Sequence, residues 1–173
     1  MTMFDPKIHH RQSIRLKNYD YSQLGAYFIT ICTHNRELLL EQESVKVMLK
    51  SFWQKLPAKF TTIQLDEFIV MPNHIHGIIM ITVGVTPRGY PSLGDIVDWY
   101  KTMTTNAYIE GVKNNRWAQF NKRFWQRNYY EHVIRDEEDL NRIRQYIIDN
   151  PMRWDEDEDN PRNWGIKKNI NGV

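Results

Sequence analysis

Residues 65–82 read LDEFIVMPNHIHGIIMIT, and this stretch decides the fold. It consists of two apolar runs, 65–70 and 74–82, separated by the turn signature Met-Pro-Asn at 71–73. The stretch therefore predicts a β-hairpin. The second run is apolar on both faces after its histidines, which predicts a central strand with helices on its faces.

The elements on either side of the hairpin alternate between strands and helices. Residue patterns predict strands at 27–33 and 128–134, and helices at 43–56, at 93–112 and from Asp136 to about Asn150. Pro57 is expected to end the first helix and Pro151 the last, while the glycines and proline of 83–90 predict a loop. The order β-α-β-β-α-β predicts an α+β ferredoxin-like sandwich with one extra C-terminal helix.

Composition restricts the class of protein. With 173 residues, 41% hydrophobic and 25% charged, the chain fits one ordinary globular domain. No apolar run is long enough to span a membrane, and the N-terminus lacks the apolar core of a signal peptide, so we expect a cytoplasmic protein. Because Cys32 is the only cysteine, an intramolecular disulfide and a cysteine-based zinc cluster are excluded.

Charge is distributed unevenly along the chain. Five consecutive acids occupy 155–159; without them 16 acids face 23 bases, a net charge of +7 for the remainder. A basic body suits a polyanionic partner. We predict a basic arm at 1–20, a central domain at 21–154 and an acidic tail at 155–173.

The hairpin contains a candidate metal site. Residues two apart on a strand point to the same face, so His74 and His76 project together and two imidazoles could bind one cation. The alternative is two histidines satisfied within a core or turn. Residues 77–79 (Gly-Ile-Ile) lack the Asp and His that a binuclear hydrolase would need there, which favours a mononuclear site with a ligand from elsewhere.

The last predicted helix presents a polar and an apolar stripe. Tyr146 and Asn150 are four residues apart and therefore lie on one face, which Arg142 extends by a further turn. The apolar stripe, expected to anchor the helix to the sheet, consists of Leu140, Ile143 and Ile147. The simpler interpretation of this pattern is that Tyr146 packs its ring against the protein and exposes its hydroxyl to water, with no catalytic role.

Two of these segments resemble a known family. His74-Ile75-His76, after 71–73, resembles the His-hydrophobic-His motif of single-tyrosine HUH transposases. Residues 146–151 (YIIDNP) resemble the Tyr-Ile-x-x-Asn-Pro motif of their relatives, the REP-associated tyrosine transposases, as do 125–135 and Trp154 after Asn150-Pro151. The resemblance extends over about 27–154, most of the chain.

The resemblance implies a metal-dependent single-strand DNA endonuclease and strand transferase that acts on hairpin or repeat DNA. In such an enzyme His74 and His76 would be metal ligands, and Asn150 would be the third, polar ligand. Tyr146 would attack the phosphate, giving a 5′-phosphotyrosine and a free 3′-hydroxyl, and the extra helix would be the catalytic one. An imidazole–amide site suits Mg²⁺ or Mn²⁺, with the histidines favouring Mn²⁺.

Other polar residues are candidates for DNA binding or for supporting the site. Lys101, Lys122, Arg123 and Arg127 could hold phosphates or be solvated surface charges; the cations and aromatics mixed at 122–130 are typical of single-strand binders. By family analogy, Arg11, Arg15 and Lys17 could reach a folded DNA element. His132 and Arg142 could support the site from behind its ligands, although a structural histidine is equally expected.

Three alternatives remain. An HUH replication initiator or relaxase would share the chemistry, but such proteins commonly carry further domains for which this chain has no room. A ferredoxin-like RNA-binding module would need a Gly-Phe-type motif, which 28–30 and 76–78 do not match. In a purely structural protein the histidine pair would be incidental. The expected partner is single-stranded or hairpin DNA, no membrane is expected, and both a monomer and a homodimer are compatible with the sequence.

Overall fold

The computed structural model describes residues 23–82, 91–157 and 159–163. In this part of the chain, β1 (Gly25–Cys32), β2 (Ile63–Val70), β3 (His74–Ile81) and β4 (Tyr130–Ile134) form one antiparallel sheet. The strand order β2-β3-β1-β4 is that of the ferredoxin-like fold, so the predicted fold class is confirmed.

The helices follow the predicted order. The α-helices are α1 (Glu43–Gln54), α2 (Leu56–Lys59), α3 (Leu93–Asn114) and α4 (Glu137–Asp149). Short 3-10 helices occupy His34–Arg36, Asn150–Glu156 and Pro161–Asn163. None of the helices in the described ranges is long and apolar enough to cross a membrane.

Both faces of the sheet are covered, which gives three layers. Strand residues with odd numbers on β1 and β3 pack under α1 and α3 in the main core, which includes Tyr27, Ile29, Ile31, Ile75, Ile79, Leu49, Trp53, Ile96 and Tyr100. The opposite face carries a smaller cluster in which Phe28, Ile78 and Ile134 meet Ile143 and Ile147 of α4. The predicted apolar stripe of the last helix therefore does anchor it to the sheet. Each fully buried isoleucine contributes about 1.5–3 kcal/mol to that attachment.

The ends of α4 are determined by its sequence. The Asp136 side chain accepts a hydrogen bond from the Asp139 backbone N–H (2.8 Å), and acids in the first turn complement the helix dipole. At the other end the α-helix stops at Asp149, and the chain tightens into the 3-10 helix that contains Pro151. Tyr146 and Asn150 thus lie on either side of this transition.

The structure departs from the sequence prediction at Pro57. Helix α1 ends at Gln54, but Pro57 lies in the first turn of α2 rather than at the end of a helix. A proline is tolerated there because the first turn of a helix has no acceptor for its backbone N–H. Strand β4 begins two residues later than predicted, at Tyr130. The predicted arm 1–20, with Arg11, Arg15 and Lys17, and the predicted loop 83–90 lie outside the described residues.

Candidate active site

His74 and His76 project from the start of β3 toward the layer formed by α4. Both are buried, with exposed fractions of 0% and 3%. Their Nε2 atoms lie 3.0 Å apart, so the predicted shared face of the strand brings the two imidazoles to one point. Two nitrogen donors directed at one point form the kind of pair that binds a divalent cation.

The far nitrogens of both rings have hydrogen-bond partners. His74 Nδ1 lies 2.8 Å from Asn73 Oδ1, which can only accept, so this Nδ1 carries the proton and donates. His76 Nδ1 lies 2.8 Å from the hydroxyl of Thr30, its cross-strand neighbour, which can accept in the same way. Burial lowers the pKa of each histidine to about 3, so both rings are neutral near neutral pH. His74 Nε2 therefore offers a lone pair, and His76 Nε2 does so in the tautomer whose Nδ1 donates to Thr30.

The donor set fits a hard divalent cation. Adjacent ligands of an octahedral ion at about 2.1 Å lie about 3.0 Å apart, which equals the Nε2–Nε2 distance. The described residues contain no cluster of three or more His, Cys, Asp or Glu suited to a metal, so another residue type would have to complete the set. Asn150 is only 4% exposed, and its buried Oδ1 has no hydrogen-bond partner. A buried amide oxygen without a partner is costly and is a suitable metal ligand.

Tyr146 lies on α4 above the histidines. Its ring centroid is 5.3 Å from that of His76 and 5.9 Å from that of Phe28, which itself stacks on His76 at 5.3 Å. The side chain is half exposed, at 45%. Burial raises the pKa of the phenol, while a hydrogen bond from Asn150 acts in the opposite direction. The hydroxyl is therefore protonated near neutral pH, and the half-exposed residue packs its ring beside that of His76.

Helix α4 is fixed to β2 by a bidentate ion pair. Arg144 donates from Nε to Asp66 Oδ1 (2.9 Å) and from a terminal nitrogen to Asp66 Oδ2 (2.6 Å). Asp66 lies where the β2–β3 register shifts between Leu65 and Phe68, a bulge that redirects side chains on the edge strand. The pKa of Asp66 is lowered, chiefly by the hydrogen bond from Arg144. The ion pair sets the position of the helix that carries Tyr146.

A second set of contacts joins α4 to β4. His132 Nε2 lies 2.8 Å from Asp139 Oδ2 in the first turn of α4, and Arg142 pairs with the other oxygen of the same carboxylate. The structure thus places His132 and Arg142, two candidates for supporting the site, at the N-terminal turn of the helix. Their described contacts are with Asp139 rather than with His74 or His76.

Asn73 connects the histidines to the segment after α4. Its Nδ2 donates to the backbone carbonyls of Arg36 (3.2 Å) and Asp159 (2.6 Å), while its Oδ1 holds His74. Arg36 and Asp159 also form an ion pair. The ring of Trp154 lies 6.0 Å from that of His74. Part of the sequence assigned to an acidic tail therefore packs beside the histidine pair.

Sequence reasoning missed several of these contacts. Thr30 could be found only from the cross-strand register, which a single sequence does not show. Asn73 directly precedes His74 in the turn motif, so its contact with the candidate metal ligands could have been predicted from the sequence. Trp154 was noted only as part of the family resemblance, and its position against His74 depends on the 3-10 turn that follows Pro151.

The four candidate DNA-binding cations within the described residues lie on the side of α3. Lys101 Nζ donates to the carbonyls of Gln126 (2.7 Å) and Arg127 (2.9 Å), so its ammonium holds the segment before β4. Lys122, Arg123 and Arg127 are exposed in that segment.

Three comparisons bear on the family. Residues 21–150 match the family model described as "Transposase IS200 like". A Haemophilus influenzae protein of uncharacterised function is 36% identical over 184 aligned positions, covering 91% of this chain and 97% of the relative. A second protein of that organism, described as a candidate REP-associated tyrosine transposase, is 25% identical over 80% of this chain and 77% of its own length.

A solved structure shares the fold. It is that of a REP-associated tyrosine transposase bound to a REP hairpin, and it superposes with a TM-score of 0.61 at 22% identity, covering 80% of this chain and 73% of that one. The family model spans most of the chain and includes the histidine pair, Tyr146 and Asn150. The chain therefore belongs to the IS200-like transposase family and is a transposase-like DNA-processing protein.

Proposed function

We propose that this protein is a metal-dependent single-strand DNA endonuclease and strand transferase in which Tyr146 is the nucleophile. The observation that carries the proposal is the position of the Tyr146 ring, 5.3 Å from the ring of His76, whose Nε2 converges with that of His74. A half-exposed tyrosine whose ring lies beside two neutral imidazoles is suited to attack on a phosphate bound at the same point.

The chemistry assigns each residue one task. The Tyr146 oxygen forms a bond to phosphorus as the bond from phosphorus to the 3′ oxygen breaks. The phenolic proton is lost, and the leaving oxygen takes up a proton to become a 3′-hydroxyl. The products are a 5′-phosphotyrosine and a free 3′ end. Because the covalent link conserves the phosphodiester energy, a 3′-hydroxyl can later attack it and join a strand while Tyr146 is released.

His74, His76 and Asn150 are the residues that would hold the metal, and Mg²⁺ or Mn²⁺ fits this donor set. Such an ion would supply positive charge that neutralises the phosphate and so lowers the barrier to attack by an oxygen nucleophile. Asn73 keeps His74 Nδ1 protonated, and the Thr30 hydroxyl can accept from His76 Nδ1, the tautomer in which each Nε2 lone pair faces the site. Phe28 packs against both Tyr146 and His76 and keeps their rings together.

We further propose that the substrate is single-stranded or hairpin DNA and that Tyr146 acts on phosphate bound by the histidines of the same chain. Support for the substrate comes from the solved relative, which is bound to a REP hairpin.

Support for action within one chain comes from the Arg144–Asp66 ion pair, which ties the tyrosine helix to its own sheet. One chain then holds a complete site, and a monomer is sufficient for cleavage.

A covalent-adduct assay tests the proposal. The protein is incubated with end-labelled hairpin oligonucleotides and Mn²⁺, denatured, and separated by electrophoresis. We expect a protein–DNA adduct in wild type that is lost in Tyr146→Phe, in His76→Ala and with a chelator. Tyr130→Phe removes another exposed hydroxyl and is the matched control, expected to retain the adduct. Adduct formation by Tyr146→Phe at the wild-type level would rule out the tyrosine mechanism.

A further inference from the structure

Two basic clefts flank the segment between α3 and β4. The first, of about 660 Å³, lies between α3 and this segment. Its lining includes four cations, Lys101, Lys122, Arg123 and Arg127, and one carboxylate, Asp98. The second, of about 430 Å³, is lined by His34, Asn35, Arg123, Gln126, Arg127 and Asn128 and has no carboxylate in its lining. Because Arg123, Gln126 and Arg127 line both, the two clefts form one continuous basic surface.

Three of the four cations on this surface are available to an external anion. Among the described residues, the side chains of Lys122, Arg123 and Arg127 form no ion pair or hydrogen bond with the protein. The arginines of two nearby elements are not available in this way. Arg142 and Arg144 of α4 and Arg36 of the His34–Arg36 turn are each paired with a carboxylate. Three unpaired cations within six residues produce a positive potential that favours a polyanion.

The segment that carries these cations is rigidly held. Phe124 is buried and stacks on Tyr108 of α3 at 4.2 Å, and Trp125 Nε1 donates to Thr104 Oγ1 (2.9 Å). Lys101 binds the carbonyls of Gln126 and Arg127, as described above. The two buried aromatic residues thus lie between exposed cations, and a preorganised surface of this kind loses little conformational entropy on binding.

The second cleft lies at the same end of the sheet as His74. The Gln126 N–H donates to the carbonyl of Cys32 (2.8 Å), and Cys32 is the cross-strand partner of His74. The His34 N–H likewise donates to the carbonyl of Phe124 (2.9 Å). The basic surface therefore begins one strand away from the candidate active site and continues toward α3.

We propose that this surface binds the single-stranded DNA that flanks the cleavage site, carrying it from the histidine pair over His34 and Arg127 into the cleft beside α3. The inference rests on the proposed function and extends it. Arg123, Arg127 and Lys122 contact successive phosphates, and the partly exposed ring of Phe120 in the same lining offers a face for a base. The cleft has the size of a small-ligand pocket, so it admits one or two nucleotides of a single strand but not a duplex.

A length series of oligothymidylates, from about 4 to about 16 nucleotides, tests the surface by fluorescence anisotropy. We expect wild-type affinity to rise with length. Arg123→Gln/Arg127→Gln should lose about ten-fold for the long oligonucleotides and much less for the short ones. The slope of log affinity against log salt concentration should become less negative by about 1.4. Each phosphate contact on a single strand contributes about 0.7 to this slope, and the variant removes two such contacts. Lys50→Gln/Lys59→Gln, which removes two exposed cations elsewhere, is the matched control and should bind as wild type.

Three results would overturn the inference: no length dependence in wild type, an equal loss at every length in the double variant, or the same loss in the lysine control. A charge-reversed pair, Arg123→Glu/Arg127→Glu, should deepen the loss on long oligonucleotides, with circular dichroism confirming that it folds. The proposed catalytic function fails differently. If the tyrosine mechanism is wrong, the adduct persists in Tyr146→Phe, but the results of the oligothymidylate series do not change.

Discussion

The ring of Tyr146 on α4 lies 5.3 Å from the ring of His76 on β3, although the two residues belong to different layers and are far apart in the chain. Phe28 touches both rings from β1. The proposed chemistry depends on this meeting of a helix and a strand, so the groups that hold the two elements together are as testable as the reacting groups.

The hydrogen bond between Thr30 and His76 should tune metal binding. Thr30→Val keeps the shape of the buried side chain but removes the hydroxyl that faces His76 Nδ1. Partners of this kind, behind the ligands, typically affect metal affinity by about 10- to 100-fold, so we expect a loss of Mn²⁺ affinity in that range by titration calorimetry. Thr105→Val, which removes a hydroxyl bonded to the Lys101 carbonyl on α3, is the control. Unchanged Mn²⁺ affinity in Thr30→Val would show that the hydroxyl does not orient the ligand.

The buried histidines should make the metal-free protein sensitive to acid. Their pKa is about 3 in the folded protein and near 6.5 when exposed, so between these values the unfolded chain binds more protons. The free energy of unfolding should therefore fall as pH falls from about 6.5 toward 3, by up to about 1.4 kcal/mol per pH unit for each histidine. Urea unfolding with a chelator present measures this slope. It should be smaller in His76→Gln, and an identical slope in that variant would contradict the assignment.

The Arg144–Asp66 ion pair should position Tyr146 without touching DNA. Arg144→Gln or Asp66→Asn frees α4 from β2, and a small displacement of a reacting group costs rate steeply. We expect adduct formation to slow by about ten-fold, with the dissociation constant for hairpin DNA unchanged. Lys113→Gln breaks an exposed ion pair with Glu110 on α3 and should leave the rate alone. Equal rates in wild type and Arg144→Gln would exclude this positioning role.

Much of this arrangement follows from local sequence patterns. The alternation of side chains along a strand places His74 and His76 on one face. The 3.6-residue period of a helix places Tyr146 one turn from Asn150, on the same side. The Met-Pro-Asn turn fixes where β3 starts. These local patterns give the order of elements along the chain. The order of strands in the sheet follows only because β-α-β-β-α-β is the element order of the ferredoxin-like fold.

Contacts between distant elements could not be read in this way. The Thr30–His76 pair depends on cross-strand register, and the Asp66–Arg144 pair depends on a bulge that gives no clear sequence signal. Trp154 reaches His74 because the chain continues as a 3-10 helix after Asn150. Lys101 was a candidate either for holding phosphates or for a solvated surface charge, yet its ammonium donates to two carbonyls of the chain.

Gly77 should be required for packing on the side of β3 opposite the histidines. A Cβ at this position would lie 2.5 Å from ring atoms of Trp53, which stacks on Phe68 in the main core. Gly77→Ala should therefore destabilise the fold by about 1–3 kcal/mol through overpacking, as measured by denaturant unfolding. Adding Trp53→Phe makes room, so the two substitutions should be strongly non-additive. Additive losses would show that the ring is not the obstacle.

The central claim is that Tyr146 becomes covalently linked to DNA, and peptide mapping of the adduct tests it most directly. Trypsin releases Tyr146 in the peptide 145–153 and the neighbouring exposed Tyr130 in 128–135, so mass spectrometry separates the two tyrosines after nuclease trimming of the DNA. We expect the nucleotide remnant on 145–153, at Tyr146, and none on 128–135. A remnant on 128–135, or on any residue other than Tyr146, would contradict it.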